Sequence, residues 1–311
     1  MFILRSGSAM VVLLLYVDDI LLTASTTSLL DRVIGILKDE FSMTELGSLN
    51  YFLGISTVCQ VSTPMVTRTY LLVDEDDPDF VNPNLYRSIV GALQYLTFTR
   101  PDIQFAVNQV CQFMHHPRQS HYVVVKQMLC YIKGTISYGL HIKADPPSSL
   151  LVYSDADWAG CPSTRRSTTG VCIFLGSTLV FWSSKKQATV SRSSVEAEYR
   201  GVAQSVAELE WLQSVLTELG LVFKSCPVVL CDNISTTYMA ANSVNHARTK
   251  HIEIDIHFVR ERYSQGHLKV SYVPTADQLA DFFTMSLSSN RFQLLCSNFG
   301  IGVPPASIEG G

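Results

Sequence analysis

Two aspartates lie two residues apart at the end of an apolar segment. Leu150 to Trp158 has the sequence LLVYSDADW, in which Asp155 and Asp157 come last before the tryptophan. Successive side chains of a β-strand point to opposite faces, so these two carboxylates are expected on one face. Buried carboxylates are unfavourable unless they bind a cation. The pattern predicts a metal-binding strand; the simpler alternative is a strand that runs into a solvated turn.

A third carboxylate is placed by a predicted helix, Ser194 to Leu219. At 100° per residue, Glu198 lies on the same side as the apolar residues of this helix, and Glu196 lies nearly opposite. We expect Glu198 to point toward a sheet and to bind a metal ion, since a buried unpaired glutamate is costly. Glu196, Glu208 and Glu210 are expected on a solvated face.

Further aspartates follow predicted strands. The apolar segment PVVLCDN, Pro227 to Asn233, ends in Asp232, where neighbouring strand ends can bring carboxylates together. The segment LKVSYVP predicts another strand, followed by a helix from Ala276 to Thr284 that carries Asp277 and Asp281 one turn apart.

The adjacent Asp18 and Asp19 form another candidate cation site. In VVLLLYVDDILLTAS they have apolar residues on both sides, which predicts two buried strands joined by a tight acidic turn. The apolar run Val11 to Val17 follows Arg5 and could mimic a signal peptide. Asp18 and Asp19 interrupt it, and no charge-free segment of about 20 residues occurs in the sequence. We expect no signal peptide, no transmembrane segment and no membrane partner.

Composition predicts a globular chain of about two domains, with 311 residues of which 47% are hydrophobic. The net charge of −4 lacks the basic excess of many nucleic-acid-binding proteins, so such binding would depend on local groups of basic residues. These are Arg165 with Arg166, Lys185 with Lys186 and Arg192, and Arg248 with Lys250. The eight cysteines contain no CxxC pair, which indicates reduced thiols and a cytoplasmic or nuclear protein.

Two other features have simpler interpretations. His251, Glu253, Asp255 and His257 in KHIEIDIHF suggest zinc, but a helical projection places the two histidines about 120° apart, so no shared zinc site is expected. The three tryptophans are expected in the core rather than as base-stacking platforms; they are Trp158, Trp182 and Trp211.

Seven segments in chain order resemble one family. They are YVDD (Tyr16 to Asp19), LGSLNYFLGI (Leu46 to Ile55), YRSIVGALQYLTFTRPDIQFAVN (Tyr86 to Asn108), YSDADWAG (Tyr153 to Gly160), SSVEAEY (Ser193 to Tyr199), KHIEIDIHFVRE (Lys250 to Glu261) and QLADFFT (Gln278 to Thr284). Together they resemble the C-terminal part of the Pol polyproteins of copia-type LTR retrotransposons, in which the end of reverse transcriptase precedes RNase H.

The resemblance implies an α/β (α+β) fold. It places a partial reverse-transcriptase palm with the YVDD hairpin at 1–62, a helical thumb- or connection-like region at 63–146, an RNase H-like domain at 147–290 and a C-terminal tail at 291–311. The RNase H-like domain is expected to contain a mixed five-stranded sheet flanked by helices. The breaker ADPPSS, Ala144 to Ser149, marks its predicted start. The connection from Ile55 to Ser62 is shorter than in the family, which suggests an internal deletion or a mis-spliced sequence.

The resemblance also implies the chemistry. It makes Asp281 the fourth acid of a DEDD set, and it implies hydrolysis of the RNA strand of an RNA/DNA hybrid with two Mg²⁺ ions, or Mn²⁺ as a substitute. The set is Asp155, the expected bridging ligand, with Glu198, Asp232 and Asp281. Candidate phosphate contacts, whose alternative is ordinary surface charge, are Lys185, Lys186, Arg248 and Lys250. Hybrid recognition is expected to depend on backbone and shape.

Histidine catalysis is expected to contribute little. Cellular RNases H place a histidine in the loop before the last acid, whereas the loop Val273 to Asp277 contains none. His267 is the nearest candidate.

Asp18 and Asp19 are implied to be a remnant of the polymerase site. In the family a further aspartate on an earlier palm strand holds the metals, and the 17 residues before Asp18 contain no acid. We therefore expect that this chain alone does not polymerise DNA, and that the upstream parts of Pol would be its partner. Two alternatives stay open: a remnant that binds nucleic acid without cutting it, and an unrelated two-metal phosphotransferase.

Overall fold

The computed structural model describes residues 2–6, 9–16, 19–24, 28, 32–36, 61–67, 76–143, 149–223, 225–242 and 252–303. The chain divides into two compact units, Met1–Thr57 and Val58–Gly311, each of which is described by itself. The predicted domain limits at 62, 146 and 290 stay predictions. Within the described ranges, no helix is both long enough and apolar enough to cross a membrane.

The first unit contains a three-stranded antiparallel sheet. Its strands are β1 (Phe2–Ser6), β2 (Ala9–Tyr16) and β3 (Asp19–Ala24). Tyr16 pairs with Asp19 in the antiparallel pair of β2 and β3, which confirms the predicted hairpin. Asp18 and the segment Leu46 to Ile55 lie outside the described residues. Residues 28 and 32–36 are helical.

The second unit begins with helices. They are α1 (Pro83–Leu96), α2 (Gln104–Cys111) and α3 (Gln119–Gly134), followed by the short strand β4 (Gly139–Leu140). The α1 helix starts where the Asn82 side chain accepts a hydrogen bond from the Leu85 amide and Pro83 occupies the first turn. The buried Arg100–Asp102 ion pair, at 2.6 Å, lies between α1 and α2. The helical character predicted for this region is confirmed.

A mixed five-stranded sheet forms the rest of the second unit. Its strands are β5 (Leu150–Ala156), β6 (Thr168–Leu175), β7 (Thr178–Lys186), β8 (Val228–Cys231) and β9 (Lys269–Tyr272). The order is β7-β6-β5-β8-β9. The first three strands pair antiparallel, whereas β5 with β8 and β8 with β9 pair parallel. The predicted mixed sheet is thus confirmed.

Helices pack on this sheet. They are α4 (Ser194–Glu218), α5 (Ile234–Ala241), α6 (Glu253–Ser264) and α7 (Ser289–Phe299), and α7 leads into β10 (Ile301–Gly302), which pairs with β4. The apolar side of α4 packs on Val152, Val171 and Val229 of the sheet and on Ile256 of α6. Phe292 of α7 stacks on Phe282 at 5.0 Å.

The helix predicted from Ala276 to Thr284 is wrong. Two short 3₁₀ turns, Thr275–Asp277 and Ala280–Phe283, replace it, and Gln278 between them has an extended ψ of 109°. The Gln278 side chain explains the break. Its amide donates to the Ser154 carbonyl of β5 at 2.9 Å and its oxygen accepts from the Ala280 amide at 3.2 Å, which ties both turns to the sheet.

Candidate active site

The four predicted acids come from four different elements. Asp155 lies near the end of β5, and Asp232 directly follows β8. Because β5 and β8 are parallel neighbours, their carboxyl ends meet at one edge of the sheet. Glu198 lies on the second turn of α4, and Asp281 lies in the 3₁₀ turn Ala280–Phe283.

Two glycines let these elements approach. A Cβ atom on Gly201 of α4 would lie 3.2 Å from the Ser154 hydroxyl, so α4 lies directly against β5. A Cβ atom on Gly170 of β6 would lie 2.7 Å from both the Ala280 carbonyl and the Thr284 methyl group. Because neither glycine has a Cβ atom, α4 and the turn Ala280–Phe283 can lie close to the sheet. Glu198 and Asp281 are thereby placed near the end of β5.

The acids form one cluster. Ligand atoms of Glu198, Cys231 and Asp232 lie within 4.8 Å of one another, and the Cys231 thiol donates to Glu198 Oε2 at 3.6 Å. The charges of Asp155 and Asp232 both act on Glu198 and on Asp281. The structure therefore brings Asp155, Glu198, Asp232 and Asp281 together.

Burial dominates the electrostatics of this cluster. Asp155, Glu198 and Asp281 are 5%, 7% and 8% exposed. Burial, and then the charges of Asp155 and Asp232, raise the pKa of Glu198 to about 9. Burial, with Asp155 next in importance, raises the pKa of Asp281 to about 7, and burial also raises the pKa of Asp155. If all these carboxylates were ionised, they would repel one another. Their proximity therefore lowers the stability of the folded protein unless cations are bound.

Three polar side chains outside the predicted set of acids contact those acids. The Thr284 hydroxyl donates to Asp155 Oδ2, and the Thr275 hydroxyl donates to Asp232 Oδ2 at 2.8 Å. The Arg291 guanidinium lies 3.7 Å from Asp281 and also donates to the carbonyls of Ala276 and Gln278. Neither Thr275 nor Arg291 lies in a recognised motif, and only the folded chain places them here.

Asp157 has a different hydrogen-bond partner from the other acids. It lies one residue beyond the end of β5, and its carboxylate accepts from the Thr168 amide across the hairpin. Burial raises its pKa to about 8. The DxD spacing thus places one aspartate in the cluster and the other in the support of the β5–β6 loop.

The expectation of a solvated face for Glu196 is wrong. Glu196 is 8% exposed, pairs with Arg200 at 2.8 Å and accepts from the Arg192 amide at 3.0 Å. Ser193, at the N-terminus of α4, accepts in turn from the Glu196 amide. Ser193 therefore caps this helix, and Glu196 binds the residue before the cap. The helical projection was correct about direction, but the segment before α4 covers that side.

The candidate phosphate contacts differ in surroundings. Lys185 is exposed, whereas the Lys186 ammonium lies 2.8 Å from both Gln112 Oε1 and Cys161 Sγ. Arg248 and Lys250 lie outside the described residues. Their roles stay predictions.

The other candidate features can also be located. His251 lies outside the described ranges, and Glu253, Asp255 and His257 lie on α6. In the part of the chain that is described, the potential metal-binding group consists of Glu198, Cys231 and Asp232, and it includes no residue of α6.

The expectation of buried tryptophans is wrong for two of the three. Trp158 is 52% exposed and Trp211 is 56% exposed. Trp182 is partly buried, and its ring nitrogen donates to the Thr97 carbonyl at 3.0 Å.

The fold and the carboxylate cluster define a mixed α/β protein with a candidate metal centre. Comparison with known proteins adds its family. The reverse transcriptase (RNA-dependent DNA polymerase) family matches residues 1–71. The chain is 42% identical, over 98% of its length, to the retrovirus-related Pol polyprotein from transposon RE2 of Arabidopsis thaliana, and 34% identical, over 93%, to that from transposon TNT 1-94 of Nicotiana tabacum. The chain belongs to the Pol polyproteins of copia-type LTR retrotransposons.

The match covers a limited part of these relatives. The chain spans 23% of the RE2 polyprotein and 24% of the TNT 1-94 polyprotein, about a quarter of each. Among solved structures, it resembles LC11-RNase H1 in complex with RNA/DNA hybrid, at 17% identity and a TM-score of 0.34, over 44% of this chain and 94% of that one.

Proposed function

We propose that residues 147–290 act as a metal-dependent RNase H that hydrolyses the RNA strand of RNA/DNA hybrids. The observation that carries this proposal is the cluster of Asp155, Glu198, Asp232 and Asp281 at one edge of the sheet. Three of these carboxylates are less than 10% exposed, and burial raises the pKa of each of the three. A protein gains nothing in stability from such a cluster, so a function that uses its negative charge is the better explanation.

The donor set fits Mg²⁺. The four side chains offer carboxylate oxygens, which Mg²⁺ and Mn²⁺ prefer, and we expect Asp155 to be the bridging ligand. Two ions bound by these acids would supply an activated water and charge neutralisation at the leaving oxygen.

The chain's own residues fix this arrangement. The Thr284 hydroxyl donates to one oxygen of Asp155, and the Thr275 hydroxyl donates to one oxygen of Asp232. Arg291 tethers the 3₁₀ turns through two carbonyls and stands beside Asp281. Such side-chain support holds ligands in a fixed orientation.

The chain offers a cationic side chain for the substrate near this edge. Lys185 is paired, through Thr169 of β6, with Ala156 at the end of β5. A contact there would address phosphates and would not select a base sequence. We therefore expect cleavage that depends on the A-like shape and 2′-hydroxyls of a hybrid.

Cleavage of a labelled hybrid by purified 1–311 tests the proposal. We expect cleavage with Mg²⁺ or Mn²⁺, none with EDTA, and little cleavage of single-stranded RNA or of duplex DNA. Asp155→Asn is the active-site variant, and Glu208→Gln, on the same helix as Glu198 but outside the cluster, is the matched control.

The alternatives give different results. A remnant that only binds nucleic acid would retain the hybrid without cutting it, at any metal concentration. An unrelated phosphotransferase would cut another phosphodiester better than the hybrid. Either result would overturn the proposal.

A further inference from the structure

Trp158 has an unusual position for a large apolar side chain. It is 52% exposed, yet it lies only three residues after Asp155, so their Cα atoms are at most about 11 Å apart. Its ring nitrogen donates to the Ser191 carbonyl at 3.1 Å. The indole is thus held by one edge while much of its surface faces solvent beside the carboxylate cluster.

The residue that holds Trp158 is itself fixed. Ser191 is 3% exposed, and its hydroxyl donates to Gln187 Oε1 at 3.0 Å. The buried Gln187 amide donates to the Ala197 carbonyl of α4 at 2.9 Å and to the Thr169 hydroxyl of β6 at 3.1 Å. The indole is therefore oriented through β6 and through α4, the helix that carries Glu198, and its use as a contact would cost little ordering.

The loop that contains Trp158 also contains two arginines. We call this loop, residues 157–167 between β5 and β6, the arginine loop. Hydrogen bonds from the Asp157 amide to the Thr168 carbonyl, at 3.1 Å, and from the Cys161 amide to the Arg166 carbonyl, at 3.1 Å, continue the hairpin beyond the sheet. Arg165 and Arg166 are exposed at its end, and among the described residues neither forms an ion pair with a carboxylate.

We propose that the arginine loop is a nucleic-acid contact, in which Trp158 packs on a ribose of the strand at the carboxylate cluster while Arg165 and Arg166 contact phosphates further along. This inference rests on the proposed function. An aromatic ring beside a basic stretch is the combination with which proteins track a nucleic-acid strand without reading its sequence. The wide, shallow minor groove of an A-like duplex exposes its riboses to such a side chain.

The two arginines would also reduce the electrostatic repulsion between the carboxylates and a nucleic acid. A polyanion approaching four carboxylates is repelled, and cations close to the site offset that repulsion. The two arginines lie on the loop that leaves β5 directly after Asp155, so they would hold the strand while the acids address one of its phosphates.

Tryptophan fluorescence tests the first half of the proposal. Full-length 1–311 is titrated with a short RNA/DNA hybrid in EDTA, so that binding is measured without cleavage. We expect the fluorescence change in the wild type and in Trp211→Phe, and its loss in Trp158→Phe. Trp211 is the matched control, because it is similarly exposed and lies further along α4, where its ring packs 6.4 Å from Phe181. A change that stays in Trp158→Phe and disappears in Trp211→Phe would overturn the assignment.

Affinity and salt dependence test the second half. Trp158→Ala is expected to weaken hybrid binding at least about fivefold, as for a central contact residue. Arg165→Gln with Arg166→Gln is expected to reduce the slope of log K against log[salt] by about 2, because each lost phosphate contact contributes about 0.9. Lys133→Gln with Lys143→Gln, two exposed lysines elsewhere, is the charge-matched control and should leave the slope unchanged. Equal slopes in the two double variants would overturn the arginine contacts.

Cleavage separates this inference from the proposed function. If the wild type cuts the hybrid, Trp158→Ala should raise KM and leave kcat within about twofold; an unchanged KM would refute the contact and leave the RNase H proposal intact. If the wild type does not cut but the fluorescence change depends on Trp158, the RNase H proposal fails and the contact stands. Thermal unfolding of each variant, with Trp158→Phe as the conservative substitution, shows whether a loss reflects misfolding.

Discussion

Glu198→Gln is expected to abolish cleavage and yet stabilise the metal-free protein. Glu198 is 7% exposed, and burial together with Asp155 and Asp232 raises its pKa from 4.5 to about 9. An unfolded chain at pH 7 has this glutamate ionised, so folding without metal requires it to take up a proton. The glutamine amide is neutral at every pH and avoids that cost.

The magnitude follows from the difference in pKa. Because the folded-state value lies above the unfolded one, the contribution of Glu198 to stability is greatest below pH 4.5 and is lost progressively as the pH rises toward 9. Between pH 4.5 and pH 7 the loss is about 3 kcal/mol, at about 1.4 kcal/mol per pH unit. The glutamine variant should recover most of it, and for a chain of this size the unfolding midpoint at pH 7 should rise by about 5 to 10 °C.

Thermal unfolding in EDTA, followed by circular dichroism at pH 5, 7 and 8, measures this effect. The gap between Glu198→Gln and wild type should widen as the pH rises, and Glu208→Gln should follow the wild type. Added Mg²⁺ should stabilise the wild type more than Glu198→Gln, because the variant lacks one ligand. A variant less stable than the wild type in EDTA at pH 7, with an equal pH dependence, would refute the electrostatic account of the cluster.

Three further predictions concern other positions. Asp155→Asn should remove most of the cleavage activity. Glu196→Gln should keep kcat and lower the unfolding midpoint, because it weakens the ion pair with Arg200. Steady-state kinetics and thermal unfolding of both variants check this, and an equal loss of activity in the two variants would contradict it. His267→Ala should keep its rate, since this histidine precedes β9 and lies about 13 Å or more along the sheet from the strand ends that carry the acids; a large drop in kcat would show a role in proton transfer or product release. Gly170→Ala should destabilise the protein by about 1 to 3 kcal/mol in denaturant unfolding and reduce cleavage, because the alanine Cβ would press on the turn that carries Asp281. An unchanged unfolding midpoint would contradict the close approach of this turn to β6.

The sequence by itself determined the strands and the main helices, and its patterns predicted three of the four acids. Continuous apolar segments predicted β5 and β8, and the predicted helix Ser194 to Leu219 agrees with α4 at Ser194–Glu218. These are local properties, because the period of a strand or helix decides which side chains share a face. The direction of Glu198 followed from the same period. Asp281, by contrast, was assigned by resemblance, since a helical pattern could not separate it from Asp277.

Tertiary structure decided what surrounds those residues. Glu196 points away from the sheet, as the projection predicts, but the segment before α4 covers it, so it binds the Arg192 amide and the Arg200 guanidinium instead of facing water. Trp158 is apolar, yet the Ser191 carbonyl holds it at the surface. The Gln278 side chain breaks a predicted helix by bonding to β5, a strand more than 120 residues away in the chain. Each outcome depends on a partner distant in sequence or on a covering segment, and periodicity carries no information about either.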